Sequence, residues 1–211
     1  MVDLQRYYLE ADAPFVAYSE RRWAGSIAYI RRRVEASVRP ALARLLPLFR
    51  SMGWPVAYLR LCSGREDRAD LHRFFADFHR KALAAGYPGA YPLGSEPLAE
   101  PAPWCAPKDG DIVVDKRGYS GFCGTELDGR LKAAGVGTLV MAGLATSQCV
   151  DTTARDASDR GYRVAFVEDA LADYDEGYHR AALYASMGVC GGQILDSEGI
   201  AAEPEVLTAL R

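Results

Sequence analysis

The chain has 211 residues, of which 49% are apolar and 25% charged, a balance that fits one folded globular domain and excludes a disordered chain. A net charge of −3 supplies no basic field to offset phosphates, so neither nucleic acid nor an anionic membrane surface is expected as a partner. The five cysteines are odd in number, scattered, and never spaced C-x-x-C, which argues against a disulfide framework or a zinc knuckle. No apolar run reaches membrane-spanning length, and Met1 to Arg6 lacks the charged and apolar regions of a signal peptide, so a cytoplasmic location is expected.

In chain order, Met1 to Gln5 reads as the end of an apolar strand, an unusually short one. Tyr7, Tyr8, Phe15, Tyr18 and Trp23 follow in an aromatic, irregular segment. Ile27, Ile30, Val34 and Val38, then Leu42, Leu45 and Leu46, recur at helical spacing, with a break or kink expected near Arg39, because Pro40 disfavours a helical residue before it, and a second helix from there to Met52. Pro55 to Cys62 is a short apolar strand, and Ala69 to Ala85 a helix that carries His72 and His79 on one side, read as surface groups. Tyr87 to Lys108, rich in proline and glycine, is a long loop of the kind that covers a site.

Asp111 to Lys116 is the next strand, and Thr125-Glu126-Leu127-Asp128 has the spacing of a capping box opening a helix to Ala134. The strand Thr138 to Ala142, the helix Asp151 to Arg160, the strand Arg163 to Glu168, the helix Glu176 to Met187, the strand Val189 to Leu195 and a helix after Ala202 complete the order. Alternation of strands and helices, with strands too uniformly apolar to have a wet face, predicts a mostly parallel sheet of about six strands covered on both sides.

Between the strand at Thr138 and the helix at Asp151 stands Gly143 to Val150, which holds Cys149. A cysteine there sits near the N–H groups and positive dipole end of a helix, which favour thiolate over thiol. In open parallel sheets ligands sit beyond the carboxyl ends of the strands. Asp3, Lys116 and Cys149 each fall at such an end, so an acid, a cation and a nucleophile are expected to converge in one crevice.

These residues resemble the isochorismatase-like cysteine hydrolases, which include nicotinamidases, carbamoylsarcosine amidases and ureido-compound amidases. Asp3-Leu4-Gln5 looks like the family's D-x-Q, Lys116 with Tyr119-Ser120-Gly121-Phe122 is similar to K-x-x-x-S-A-F, and Gly143 to Val150 resembles G-V-x-T-x-x-C-V. Further similarities are Thr153 to Ala157, Gly161 to Val164, Glu168 to Ala170, and His179 with Ala181 to Leu183, so the likeness covers nearly the whole chain.

The resemblance implies a single three-layer αβα, Rossmann-like domain over residues 1–211, its first strand truncated because only two residues precede Asp3. It implies a catalytic triad of Asp3, Lys116 and Cys149. It also implies a cis peptide bond between Leu144 and Ala145, with the backbone N–H groups of Ala145 and Cys149 as an oxyanion hole. Tyr8, Tyr119 and Phe122 match positions that line the family's pocket. The nicotinamidase metal set is missing, since Leu61 to Arg65 stands in its place, so no metal and no cofactor is expected. Gly121 replaces the usual alanine and is read as room for a slightly larger ligand or as a looser loop. The activity implied is hydrolysis of a small amide, carbamoyl or ureido compound by a homo-oligomer, dimer or tetramer. Vinyl-ether hydrolysis of isochorismate, or binding without catalysis, stays open as an alternative.

Overall fold

The computed structural model describes residues 1–190 and 192–209. Five strands are parallel: β1 (Ala57–Leu61) pairs with β2 (Ile112–Lys116), and β4 (Arg163–Ala172) lies between β3 (Thr138–Leu144) and β5 (Gln193–Leu195). The expected sixth strand, at the start of the chain, is reduced to one residue. Val2 bridges Leu59 on one side and Gly143 on the other, and so joins the two groups of strands. The Val2 N–H donates to Ala142 O at 2.8 Å, and the N–H of Leu144 to Val2 O at 2.9 Å, on the β3 side. On the β1 side the N–H groups of Leu59 and Asp3 bond Met1 O and Leu59 O. The strand stops there because Asp3 has φ 51°, which turns the backbone out of the extended region.

Alternate residues of the strands point into two hydrophobic clusters, which is why the sheet is dry on both faces. From β4, Ala165 and Val167 join the cluster that holds Leu42 and Leu45 of α4 (Arg39–Ser51) and Ile200 of α9 (Ser197–Ala202). Val164 and Phe166 join the other, with Leu131 of α6 (Leu127–Ala133), Ala154 and Ala157 of α7 (Asp151–Asp159) and Leu183 of α8 (Glu176–Cys190). The remaining helices are α1 (Arg6–Leu9), α2 (Pro14–Arg22), α3 (Ala28–Arg33) and α5 (Arg73–Ala84). No helix among the described residues is long and apolar enough to cross a membrane.

Several local expectations change. The break or kink expected near Arg39 takes the form of a π-helical turn, Val34–Val38, in which Arg39 N–H reaches back five residues to Val34 O, and the second helix follows from Arg39 as α4. Pro40 is accommodated in the first turn of α4, where an N–H is not needed. Thr125 does not cap α6 in the expected way: its hydroxyl donates to Gly121 O and accepts from Leu127 N–H. Helix α8 continues through Gly188 to Cys190, and the strand expected over 189–195 is confined to β5, residue 191 lying outside the described residues.

Strand β4 runs four residues further than its apolar run implied, and it bulges. Met141 pairs with Phe166 but Gly143 pairs with Leu171, so extra residues of β4 loop out between them. That stretch is tied down from the π-turn region: Arg33 donates to the carbonyls of Glu168 (3.0 Å) and Leu171 (2.8 Å), and Ser37 to that of Asp169 (2.8 Å). At the amino ends of the strands, β1 and β3 have only Met1 and Val2 between them, and a cavity of about 550 Å³ lies there, lined by Ala57, Leu127 and Leu139 among others. It contains none of Asp3, Lys116 and Cys149, and the chemistry lies at the opposite ends of the strands.

Candidate active site

Three strand ends bring the predicted triad together. Lys116 ends β2, Cys149 lies in the π-helical turn Thr146–Val150 that follows β3, and Asp3 follows the Val2 bridge between them. The Lys116 ammonium is 2.9 Å from Asp3 Oδ2 and donates to Cys149 Sγ at 3.2 Å and to Gly118 O at 2.9 Å. All three side chains are buried, Lys116 completely. A buried charge persists only when paired, and here each has its counter-charge in contact. Asp3 Oδ1 is left without a hydrogen-bond partner, an acceptor free to take a proton.

The Asp3 turn is held by its neighbour. Gln5 Oε1 accepts from Leu61 N–H at 2.7 Å and its Nε2 donates to Ala99 O at 2.7 Å, so the side chain extends the ladder of β1 past its end and pins the covering loop. The loop after β2 is stitched to α7 in the same manner. Ser120 donates to Asp156 (2.6 Å), Gly121 N–H donates to Thr153 Oγ1 (3.0 Å), and Thr153 donates to Cys149 O (2.6 Å).

Burial works against the thiolate-favouring surroundings that the sequence placed at Cys149. Burial, with the Asp3 carboxylate next, pushes the Cys149 thiol well above its ordinary pKa, and the pull of Lys116 does not make up for it. Burial also works to lower the Lys116 pKa, but Asp3 and Cys149 more than reverse that, and the ammonium is held charged. The thiol is thereby held in its neutral form beside a charged ammonium.

Two expectations about the loops are overturned. No peptide bond among the described residues is cis, so Leu144–Ala145 is trans, with Ala145 in an extended conformation (φ −85°, ψ 142°). The trans form is favoured for a non-proline residue by about 3 kcal/mol, and nothing in the turn's hydrogen bonding opposes it. Ala145 O accepts from Gln148 N–H at 3.0 Å and Val150 N–H at 3.2 Å, which closes the turn with a trans bond. The donor role given to Ala145 N–H depended on the cis bond and loses its basis. Gly121 offers no extra room either, because a Cβ there would meet both methyls of Leu59 and, at 3.3 Å, Leu127.

Of the predicted pocket residues, Tyr8 and Tyr119 belong to one aromatic wall. Tyr8 stacks on Phe15 at 4.8 Å, and Tyr119 packs on Phe75 at 4.7 Å and His72 at 5.1 Å. The Tyr8 hydroxyl is buried without a partner. Phe122 stands apart, against Tyr162 at 5.8 Å with the Arg160 guanidinium 5.0 Å over its ring. Sequence reading missed Tyr91 and Tyr174. Tyr91, from the long loop, lies 5.2 Å from Phe75, and Tyr174, just after β4, lies 6.4 Å from Tyr8. Burial raises both phenols, and each is raised further by the nearby Cys149 sulfur. The one signal available was the aromatic content of the loop. His79, read as a surface group, is buried, and its Nδ1 accepts from Tyr91 N–H at 3.3 Å. Among the described residues no group of three or more His, Cys, Asp or Glu is placed to hold a metal ion.

A parallel α/β domain thus holds an acid, an ammonium and a thiol in contact, buried at its strand ends. The profile described as Isochorismatase domain matches residues 1–199, and the chain belongs to the isochorismatase family. It is 36% identical over 149 residues to the ureidoacrylate amidohydrolase RutB of Variovorax paradoxus, a match covering 69% of this chain and 56% of that protein. It is 34% identical over 123 residues to the isochorismatase family protein YwoC of Bacillus subtilis, covering 53% of this chain and 65% of that protein. The chain thus matches less than two thirds of the length of either relative. Its fold is similar to that of a cysteine hydrolase from Pseudomonas syringae pv. phaseolicola (TM-score 0.75, 25% identity, 98% of this chain and 91% of that one). It is also similar to N-carbamoylsarcosine amidase from Thermoplasma acidophilum (TM-score 0.68, 25% identity, 93% of this chain and 94% of that one).

Proposed function

We propose that the chain hydrolyses a C–N bond of a small amide, carbamoyl or ureido compound through a thioester on Cys149. The observation that carries this reading is the buried contact chain Asp3–Lys116–Cys149, at 2.9 and 3.2 Å, with Asp3 Oδ1 unpartnered. The names of the relatives support it, a ureidoacrylate amidohydrolase and an N-carbamoylsarcosine amidase among them.

In this reading Asp3 takes the Cys149 proton as Sγ attacks the carbonyl carbon, so that the high thiol pKa is overcome in the same step as bond formation. The Cys149 N–H, with the Lys116 ammonium beside it, stabilises the oxyanion. The tetrahedral adduct collapses by expelling the amine or ammonia, which takes the proton from Asp3. Water then gives a proton to Asp3 as its oxygen attacks the thioester, and the acid departs as Sγ regains that proton. Tyr8 and Tyr119 form the wall against which the substrate lies.

The test is a panel of ureidoacrylate, N-carbamoylsarcosine, nicotinamide and isochorismate assayed with the wild-type chain and with Cys149→Ala. Hydrolysis of an amide or ureide that falls by about 10³-fold or more in Cys149→Ala is expected. Turnover of isochorismate that survives the substitution would move the reading to acid-assisted vinyl-ether cleavage, and no turnover of any member would favour a binding protein. A homo-oligomer is part of the same proposal; Tyr184 and Met187, on an exposed stretch of α8, supply apolar surface for it, and light scattering at twice or four times the chain mass is the expected result.

A further inference from the structure

The nucleophile's turn is anchored by a polar chain that the proposed chemistry does not use. Thr146, the first residue of the π-helical turn, is buried, and its Oγ1 lies 2.8 Å from Nδ1 of His179 on α8, which is also buried. On the far side of the imidazole, Nε2 is 2.9 Å from Arg33 Nη2 and 3.1 Å from Glu168 Oε1. Arg33 also donates to Glu168 Oε1 at 2.6 Å and holds the β4 bulge by two carbonyls. Nε2 thus faces a donor and an acceptor together, since a guanidinium only donates and a carboxylate only accepts. The imidazole is linked to Thr146 in either tautomer, because a hydroxyl can donate or accept. It is kept neutral because burial, then Arg33, lowers its pKa against the opposing pull of Glu168. One residue further, Ser147 N–H donates to Asp173 Oδ2, the carboxylate that leads into Tyr174.

We propose that His179 is a positioning residue: by holding the Thr146 hydroxyl through Nδ1 it fixes the Thr146–Val150 turn and keeps Cys149 Sγ against Lys116, with Arg33 and Glu168 holding the imidazole in turn. The inference rests on Cys149 being the reactive group, the reading given above. The arrangement is that of an outer ligand fixing the orientation of a reactive one, where losses of about 10- to 100-fold are usual.

The test reads the thiol and needs no substrate. Alkylation by iodoacetamide at neutral pH is followed at Cys149 and at exposed Cys123 by peptide mass spectrometry in wild type, Thr146→Val, Thr146→Ser, His179→Gln and the double variant Thr146→Val/His179→Gln. Cys149 is expected to react about tenfold more slowly in Thr146→Val and His179→Gln, and within about twofold of wild type in Thr146→Ser, which keeps the hydroxyl. The double variant is expected to be no slower than the slower single, because both cut the same link. Cys123 serves as the internal standard and should not change. Unchanged or faster alkylation of Cys149 in Thr146→Val, as simple loosening and exposure of the turn would give, overturns the proposal; so do multiplied effects in the double variant. If His179→Gln does not fold, the Thr146→Val and Thr146→Ser pair decides alone. Full activity in Cys149→Ala would sink the thioester reading separately, since the alkylation rates do not depend on it.

Discussion

Gly143→Ala is expected to damage stability and the site together, by a path that starts in the backbone. Gly143 has φ +116°, a region that L-residues rarely adopt, and a Cβ there would stand 2.6 Å from Val2 N and 2.9 Å from Val2 C, with the Val2 carbonyl oxygen closer still. Ordinary contact is about 3.5 Å, so the Val2 backbone would have to retreat by about 1 Å. It cannot do so freely, because the hydrogen bonds of Val2 N–H and Val2 O run to β3 on that side and those of Met1 O and Asp3 N–H to Leu59 on the other. Strained φ costs about 1–3 kcal/mol, and loss of one or two of those bonds about 1 kcal/mol each. A total near 3 kcal/mol lowers Tm by about 6–12 °C in a chain of this size. Asp3 is the next residue, and a shift of about 1 Å in the base relative to Cys149 and Lys116 is worth about 10²-fold in kcat. Thermal unfolding by circular dichroism, with kcat and KM on the best substrate of the panel, measures both. A variant within 2 °C of wild type that keeps kcat within threefold would refute the role given to the Val2 crossing.

Gly121→Ala should cost about 1–3 kcal/mol by forcing Leu59 from its position, and Leu59→Val in the same chain should recover part of the loss; urea unfolding of the single and double variants checks it. Lys116→Met leaves Asp3 buried without its cation, and the free energy of unfolding in urea is expected to fall by about as much as for a broken buried ion pair, about 3–5 kcal/mol, along with activity; unchanged stability would contradict the 2.9 Å pairing. Burial lowers the pKa of His179, with Arg33 adding to it, and burial likewise lowers that of His79. In the unfolded chain both take a proton near pH 6.5, which the folded protein resists, so stability should be fully present above about pH 7 and fall as pH drops through 6.5 toward 5. Urea unfolding across that range should show the slope, and His179→Gln should flatten part of it.

The meeting of Asp3, Lys116 and Cys149 was legible because each is a chemically conspicuous residue next to an easily read strand end: Lys116 after an apolar run, Cys149 between a strand and a helix, Asp3 after the first two residues. The parallel order was legible from the same apolar runs. What escaped depends on contacts that no local pattern encodes. The bulge of β4 is set by Arg33 and Ser37, more than a hundred residues away, and the apolar periodicity there stops at Glu168 although the strand continues. The helix around Pro40 survives because a π-turn absorbs the missing N–H, a choice made by packing against β4 rather than by the proline. The thiol's pKa turned on burial, which outweighs a cation that the sequence already displayed. Room at Gly121 depended on where Leu59 points, a fact of the neighbouring strand.

The Lys116 ammonium has three hydrogens and three acceptors within reach, Asp3 Oδ2, Gly118 O and Cys149 Sγ. It is thereby a charge held in place from three sides, and in the proposed reaction the proton that moves is the one on sulfur. Transfer of that proton from Sγ to Asp3 leaves the net charge of the cluster unchanged. Bond making and bond breaking in that reaction then draw in no counter-ion to the buried site, because the charge that appears on one atom has just left another a few ångströms away.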